Sequence, residues 1–343
     1  MGTLKIGSAS NRAGVTIEPK TVLFNDNNVK YIKSGLIEIW SYIKPLVPPM
    51  TSDTTPSGEV IASGLIGGYE KFKAFDNNPL TSWAVDKTTL PQWVGYKFTS
   101  PANVNKVKIQ NRDNSEDANP KTFVIQASNN GNDWFNVSDT LTNIYATNTS
   151  ADYSRESEYT FENSGYYLYY RMYVTSTASG RNDSTQIASL QFYGSQLIAL
   201  IPKMTSNTTP SGEASASSIY SNVYDAWKAF DGAEIEGWAP AKGAEKNSTY
   251  LQYKFDSPNR IKGIYTFYSG GGSYHSEVAT FKIQGSDNGT TWNDIKTDIK
   301  VSCNHDVYIL DNNKYYNYYR FVITDHTHYS LDVGNGYKFQ LYK

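Results

Sequence analysis

Short runs of β-branched and aromatic residues, separated by clusters of Asn, Gly, Ser and Pro, dominate the pattern of apolar and polar positions. Residues 104–109 are typical of these runs, which predict short β-strands. Asn-Gly pairs at 130–131 and 288–289 predict tight turns, because Asn and Gly tolerate the positive φ that hairpin turns require. Helical periodicity is confined to a turn or two near residues 69–74 and 224–229. The pattern therefore predicts an all-β protein.

The same series of landmarks occurs twice, once from Met50 and again from Met204. Each copy opens with Met-Thr-Ser-Asx-Thr-Thr-Pro-Ser-Gly-Glu, and Lys-Ala-Phe-Asp and a Trp follow. The later landmarks that match, in order, are residues 96–98 and 253–255, 123–131 and 281–289, 169–174 and 318–323, and 191–193 and 340–342. Because the order is kept and only the connections differ, the sequence predicts two similar domains in series.

Each copy falls within the size range of a single domain. We therefore place a first module, module 1, at residues 48–198 and a second, module 2, at residues 199–343. Residues 1–47 form a separate segment, whose short apolar runs between positions 22 and 40 predict a small β-meander without a large core of its own. The expected architecture is two β-sandwiches in tandem behind this meander.

Composition narrows the classes of function. Aromatic residues make up 14% of the 343 residues, charged residues only 19%, and the net charge is −2. We expect no nucleic-acid partner, since phosphate binding needs a surplus of Lys and Arg on one face. The single cysteine, Cys303, cannot form an intramolecular disulfide. Residues 1–14 lack the apolar run of a signal peptide, and no stretch approaches the ~18 apolar residues of a membrane span, so we expect synthesis in a cytoplasm.

The repeated landmarks resemble the discoidin fold, which coagulation factor type C domains share with family 32 carbohydrate-binding modules. The motifs that carry the resemblance are an Ala-Phe-Asp followed by Trp, a Ser-x-x-Gly-x-x-Trp hairpin, a Tyr-Tyr-Arg strand and a closing Leu-Gln-Phe-Tyr-Gly. The resemblance covers residues 50–194 and 204–343 and implies eight-stranded jelly-rolls whose loops at one end hold a ligand, usually a sugar. Residues 1–47 resemble segments that attach proteins to bacteriophage tails and baseplates, and an ordinary packed leader domain is the alternative.

The resemblance also implies a calcium site in module 1, formed by Asp76, Asn78 and Thr81. Calcium is a hard cation that takes six to eight oxygen ligands. Relatives supply a further Glu just before the last strand, where this chain has Ser189 in module 1 and Lys338 in module 2. Calcium binding and simple turn capping therefore stay open alternatives for module 1, and in module 2 the lysine would repel a cation.

Polar loops that differ between the copies are the candidate ligand-binding segments, because function on such a scaffold sits in the loops. In module 1, Arg112 and Asn114 lie between two predicted strands, where sugar-binding relatives place an Arg and an Asn. An Arg fork and an Asn amide suit vicinal hydroxyls. Tyr69, Arg181 and Asn182 are expected to complete this rim.

In module 2 the candidate ligand-binding residues lie on the loop equivalent to that of Arg112 and on a late loop. These candidates are Tyr274, His275, Glu277, His326, His328 and Tyr329. An exposed Tyr can stack on the apolar face of a pyranose while His and Glu bind its hydroxyls. In both modules the alternative is a solvated connection that binds no ligand.

Most other aromatic residues are expected in the cores, because they recur in both copies. The predicted core set is Phe75, Trp83, Phe98, Phe230, Trp238 and Phe255. Trp134 and Trp292 follow hairpin turns and are expected over the edge of each sandwich.

The chain has no Ser-His-Asp order, Gly-rich phosphate loop or HExxH motif, so we expect no enzyme. Our interpretation is a glycan-binding adhesion protein of a bacteriophage virion, multimeric on the particle and joined to other virion proteins through residues 1–47. One alternative is a purely structural or decorative virion protein whose modules make subunit contacts. Another is binding to phospholipid through the apolar residues 65–66 and 219–220, although these lack a basic surround.

Overall fold

Side chains that alternate between buried and exposed positions along the strands build two sandwiches. The chain is described by a computed structural model that covers residues 44–86, 89–112, 118–146, 156–178, 184–269, 279–326 and 336–343. In the strand Tyr167–Thr177, for example, Tyr170, Met172 and Val174 are buried and the residues between them are not. A period of two with one buried face is the signature of a sheet that packs on a core.

The described residues of module 1 contain ten strands in antiparallel pairs. They are β1 (Glu59–Ala62), β2 (Trp83–Asp86), β3 (Gln92–Gln110), β4 (Pro120–Ser128), β5 (Phe135–Asn136), β6 (Leu141–Thr142), β7 (Glu156–Thr160), β8 (Tyr167–Thr177), β9 (Ser184–Ile187) and β10 (Ser189–Gln196). One layer has the order β1-β3-β8-β4-β5, with β6 also beside β4. The second layer consists of β7 and β10 on either side of the other half of β3, and β2 pairs with β9.

The long strand β3 belongs to both layers of module 1. Its first half pairs with β8 as far as Lys97, the register then shifts, and from Ala102 onward it pairs with β10. In module 2 the same path is divided into two strands. The strand therefore carries the chain from one layer to the other.

Module 2 repeats this topology with strands of its own. They are β11 (Glu213–Ala216), β12 (Tyr250–Asn259), β13 (Gly263–Tyr268), β14 (Ala279–Ser286), β15 (Asn293–Val301), β16 (Asp306–Ile309), β17 (Tyr316–His326) and β18 (Tyr337–Tyr342). The five-stranded layer has the order β11-β12-β17-β14-β15 and the three-stranded layer the order β16-β13-β18. The prediction of two similar all-β sandwiches is confirmed.

Each sandwich encloses an aromatic core. Trp83 and Trp238 are fully buried, and each donates its indole N–H to a backbone carbonyl, that of Gly64 at 2.9 Å and that of Ser218 at 3.0 Å. All the aromatic residues predicted for the cores are buried, namely Phe75, Trp83, Phe98, Phe230, Trp238 and Phe255. Burying an aromatic side chain stabilises a fold by about 1.5–3 kcal/mol, so these residues dominate the stability of each module.

Trp134 and Trp292 lie on the outer face of the five-stranded layers, where each covers an arginine of the central strand. The Arg171 guanidinium carbon lies 3.9 Å from the centre of the Trp134 ring, and that of Arg320 lies 4.0 Å from the Trp292 ring. Arg171 also lies over Trp93, at 4.9 Å, and burial lowers the pKa of Arg171 to about 10. These cation–π stacks fasten the hairpin between the fourth and fifth strands of the layer onto the sheet.

Two short 3-10 turns, Lys71–Ala74 and Ala226–Phe230, confirm the predicted helical turns. Just before the first strand of module 1, the N–H of Leu46 donates to the carbonyl of Phe192 at 2.8 Å, and Val47 is buried in the core. Residues Leu46 and Val47 are therefore part of the sandwich of module 1.

Residues Pro45–Lys343 form one compact unit. The β-meander predicted within residues 1–47 falls almost entirely outside the described residues and stays a prediction. In the part of the chain that the structure describes, no helix is long and apolar enough to cross a membrane.

Candidate functional site

One end of module 1 brings three polar side chains together. Arg112 lies one residue beyond Asn111, which follows the end of β3, and its guanidinium carbon lies 4.7 Å from the centre of the Tyr69 ring. Its Nη1 donates a hydrogen bond of 2.8 Å to Oε1 of Gln186 in β9. The predicted rim residues Tyr69 and Arg112 are therefore in contact, and Gln186 joins them.

Strand β2 positions both sides of this cluster. The indole N–H of Trp83 donates to the carbonyl of Gly64, and the N–H of Ala84 lies 3.4 Å from the carbonyl of Tyr69. Ala84 also pairs with Gln186 across the β2–β9 ladder. The buried Trp83 thus fixes the loop that presents Tyr69, and the same strand sets the register of Gln186.

Gln186 is absent from the sequence prediction. A single glutamine in a strand of alternating buried and exposed residues belongs to no motif that would identify it as a site residue. Its place beside Arg112 becomes visible only through the pairing of β2 with β9. Three further residues predicted for this rim, Asn114, Arg181 and Asn182, lie outside the described residues and stay predictions.

The corresponding end of module 2 differs in chemistry. Strand register places Ser269 where module 1 has Arg112 and Gly336 where it has Gln186. The Ser269 hydroxyl donates to the carbonyl of Gly336 at 3.1 Å. Gly336 packs so closely on Gly237 that an added Cβ would lie 2.1 Å from a backbone carbon, which excludes a glutamine there. The arginine–glutamine pair is therefore specific to module 1.

This end of module 2 carries two neighbouring tyrosines instead. The rings of Tyr220 and Tyr224 meet edge to face at 5.9 Å, and the ammonium of Lys242 lies 5.9 Å from the Tyr220 ring. Tyr224 occupies the place in the repeat that Tyr69 occupies in module 1, four residues before the Lys of Lys-Ala-Phe-Asp. A closer alignment of the repeats could have found it.

Among the residues predicted for module 2, His326 lies at the end of β17. Its backbone N–H donates to Oδ1 of Asp325 at 3.0 Å, and Asp325 forms an ion pair with Lys246. The other candidates, which stay predictions, lie outside the described residues: Tyr274, His275, Glu277, His328 and Tyr329.

The turn after Asp76 gathers oxygen atoms. Oδ1 of Asp76 accepts the N–H of Asn78 at 2.9 Å, and Oδ2 accepts the hydroxyl of Thr81, which also lies 3.0 Å from the Asn78 carbonyl oxygen. Burial raises the pKa of Asp76, and these hydrogen bonds and the charge of Lys73 offset only part of that effect. A carboxylate, a hydroxyl and a carbonyl are ligands that calcium accepts, so the residues fit the implied ion. The described residues hold no cluster of three or more His, Cys, Asp or Glu, so neutral oxygens would supply most of the coordination.

Lys338 takes the corresponding place in module 2. The ammonium donates to Oδ1 of Asp231 and to the carbonyl of Lys228, both at 2.7 Å, and Lys338 is 3% exposed. Burial lowers the pKa of Lys338, and the hydrogen bond and charge of Asp231 act in the opposite direction. The residue at the same position of β10 is Ser189, whose side chain is short and uncharged. Module 2 therefore carries its own cation beside Asp231.

We predict that Lys338→Met lowers the free energy of unfolding by about 3–5 kcal/mol, because it leaves the Asp231 carboxylate without its buried partner. Urea denaturation measures this loss. Lys282→Met is the matched control, since Lys282 pairs with Asp294 at 3.5 Å in a more exposed position and should change the unfolding free energy far less. Equal losses in the two variants would contradict the prediction.

Two sandwiches of one topology, which differ in the side chains at one end, define a pair of jelly-roll modules. The model of the F5/8 type C domain matches residues 59–190 and 213–333. These matches span well over half of the chain, which therefore belongs to this family. Membership supports the expectation of a binding protein rather than an enzyme. A search of curated proteins finds no match.

Solved structures with a similar fold include two modules from Clostridium perfringens. CBM32-3 of a family 31 glycoside hydrolase is 23% identical, and the match covers 39% of this chain and 88% of that one, with a TM-score of 0.35. The family 32 carbohydrate-binding module of NanJ, in complex with galactose, is 20% identical over 40% of this chain and 93% of that one, with a TM-score of 0.33. A fucolectin from Morone saxatilis serum is 16% identical over 83% and 95%, with a TM-score of 0.34.

Proposed function

We propose that this protein binds surface glycans through the loop end of each sandwich and that module 1 does so with Tyr69, Arg112 and Gln186. The contact between these three side chains is the observation that carries the proposal. An arginine presents five N–H donors in a rigid fork, and a glutamine amide both donates and accepts. This combination suits the paired hydroxyls of a sugar, the class of ligand named for one of the solved neighbours.

The geometry of the rim orients the arginine before a ligand arrives. The stack on Tyr69 fixes the plane of the Arg112 guanidinium, and the bond to Gln186 fixes its rotation. Less side-chain entropy is then lost on binding. Tyr69 and Arg112 lie on connections and are partly exposed, so a single site is expected to bind weakly. Several sites on one particle raise the apparent affinity by about 10²–10⁴ when the geometry allows simultaneous contact.

We propose calcium as an ion of module 1, held by the Asp76 carboxylate, the Thr81 hydroxyl and the Asn78 carbonyl. The ion would stabilise the turn that follows the Lys-Ala-Phe-Asp motif, on the chain that leads into β2 and so to the loop of Tyr69. Module 2 needs no such ion in this proposal, because Lys338 already supplies a positive charge beside Asp231.

We further propose that the protein is a component of a bacteriophage virion, present in several copies. The support for this is the sequence of residues 1–47, which resembles particle-attachment segments. In this proposal the N-terminal segment contacts other virion proteins and the two modules face the host surface. The main alternative, a decorative role without a ligand, predicts that no glycan binds.

We predict that Arg112→Ala weakens glycan binding by module 1 about 10- to 100-fold, since hydrogen bonds to a charged group contribute about 1.5–3 kcal/mol each. The melting temperature should stay unchanged. A glycan array probed with the multivalently displayed full chain identifies the ligand, and calorimetry with that ligand measures the loss.

Arg260→Ala is the matched control for this change, because Arg260 also stacks on a tyrosine, Tyr315, at 5.7 Å but lies before β13. Its binding should equal that of the unsubstituted chain. Unchanged binding in Arg112→Ala would place the sugar elsewhere, and an array without any bound glycan would favour the decorative role.

We predict that millimolar calcium raises the melting temperature and that Asp76→Asn abolishes the increase. An ion at about 100 times its dissociation constant stabilises the folded state by about 2.7 kcal/mol. Because the pKa of Asp76 is raised, a proton competes with calcium as the pH falls, so the stabilisation should decrease in acid. Differential scanning calorimetry with calcium or EDTA measures both effects. Asp133→Asn, in a hairpin turn of the same module, is the control and should keep the calcium response.

A further inference from the structure

The outward face of the three-stranded layer differs between the two modules. In module 1 it is covered by ion pairs between β3 and β7, Lys106 with Glu158 at 3.1 Å and Lys108 with Glu156 at 3.2 Å. Both lysines also lie over the ring of Tyr193, at 5.0 and 5.9 Å. These ion pairs make the face polar, as is typical of a surface exposed to solvent.

The same positions in module 2 carry apolar and aromatic residues. Strand register places Gly263, Tyr265, His305 and Val307 where module 1 has Lys106, Lys108, Glu156 and Glu158. His305 stacks on Phe267 with ring centres 4.1 Å apart and hydrogen-bonds the hydroxyl of Tyr265. Four charged side chains are thus replaced by a surface that favours contact with another part of the protein.

The chain between the modules crosses this surface at Gly263. Leu197 is buried, and its N–H donates to the carbonyl of Pro101 in module 1 at 2.9 Å. A Cβ added to Gly263 would lie 2.9 Å from Cδ1 of Leu197, so the glycine makes room for the leucine. The next residue, Ile198, exchanges two backbone hydrogen bonds with Lys343 of module 2, at 3.1 and 2.9 Å. The connection is therefore bound to both sandwiches.

Side chains of module 1 also influence the pKa values of groups on this surface. The Lys97 ammonium lies 5.3 Å from the centre of the Tyr169 ring, and both belong to the five-stranded layer of module 1. Burial lowers the pKa of His305, the carboxylate of Glu234 opposes that shift, and the positive charge of Lys97 adds to it. Burial likewise raises the pKa of Tyr265, and the negative groups around it, Tyr169 of module 1 among them, add to the effect. Lys97 and Tyr169 thus contribute to the electrostatics of this face.

We propose that the face formed by Gly263, Tyr265, His305 and Val307 is a docking surface for module 1, which holds the two modules as one rigid body. Leu197 of the connection lies against it at Gly263, and Lys97 and Tyr169 of module 1 contribute to its electrostatics. The loop ends of the two modules then keep one fixed direction relative to each other. Any two ligands they bind must match that spacing.

The first test gives module 2 the surface of module 1. The double substitution Tyr265→Lys with Val307→Glu reproduces the Lys108–Glu158 pair that this fold already accommodates, so module 2 should stay folded. Residual dipolar couplings of the full chain should give one alignment tensor for both modules in the unsubstituted protein and two different tensors in the variant. Two tensors in the unsubstituted protein, or one in the variant, would overturn the proposal.

The second test measures the proximity of module 1 to the docking surface through one side chain of module 1. NMR titration of the His305 imidazole should show a pKa that rises in Lys97→Ala, because a nearby positive charge is removed and any loosening of the modules returns the ring to water. Lys254→Ala is the matched control, since Lys254 lies over Tyr318 at 5.7 Å in the equivalent place of module 2. The His305 pKa should not move in that variant. An unchanged pKa in Lys97→Ala would refute the proposed docking.

Discussion

A buried tyrosine hydroxyl holds the two layers of each sandwich together at the point where the chain passes between them. In module 1, Tyr170 donates to the carbonyl of Ala102 at 2.8 Å and accepts the N–H of Val104 at 3.3 Å. In module 2, Tyr319 donates to the carbonyl of Asn259 at 2.6 Å. A buried backbone N–H or carbonyl that has lost its hydrogen-bond partner lowers the free energy of unfolding by about 1–3 kcal/mol. Burial raises the pKa of Tyr319 to about 12, so the hydroxyl keeps its proton at neutral pH.

This shared frame leaves the surfaces of the two modules free to diverge. At the loop end, module 1 has the pair Arg112 and Gln186, and module 2 has a close contact of two glycines instead. Beside the aspartate that both copies share, module 1 has a serine and module 2 has Lys338. The copies therefore share a core and differ in the chemistry that a ligand or an ion would meet, as expected when function sits in loops.

Much of the fold could be predicted because repetition reveals which residues belong to the core. Aromatic residues such as Trp83 and Trp238 recur in both copies, because a buried position in the shared core needs the same type of side chain in each module. The role of Trp134 could not be derived, since its partner Arg171 is distant in sequence and adjacent only through the pairing of β4 with β8. Gln186 was missed for the same reason.

Lys338 illustrates what a sequence pattern leaves out. Its charge indicated that a cation would be repelled, and the structure shows the ammonium itself bonded to Asp231. The ion pair depends on a side-chain direction that a one-dimensional pattern does not contain. The apolar face around Tyr265 was also hidden, because its contrast with Lys108 becomes visible only when the register of β13 and β16 is known.

The repeat has one consequence for how such a chain could be lengthened. Module 2 repeats the pair Lys97–Tyr169 as Lys254–Tyr318, with the lysine 5.7 Å from the ring centre. Module 2 therefore repeats the lysine–tyrosine pair that module 1 contributes to the junction. The docking surface, with its glycine and aromatic residues, exists in module 2 and not in module 1. If the proposed docking holds, lengthening by gene duplication is directional: added copies of module 2 would each offer the face that receives the preceding module, and added copies of module 1 would not.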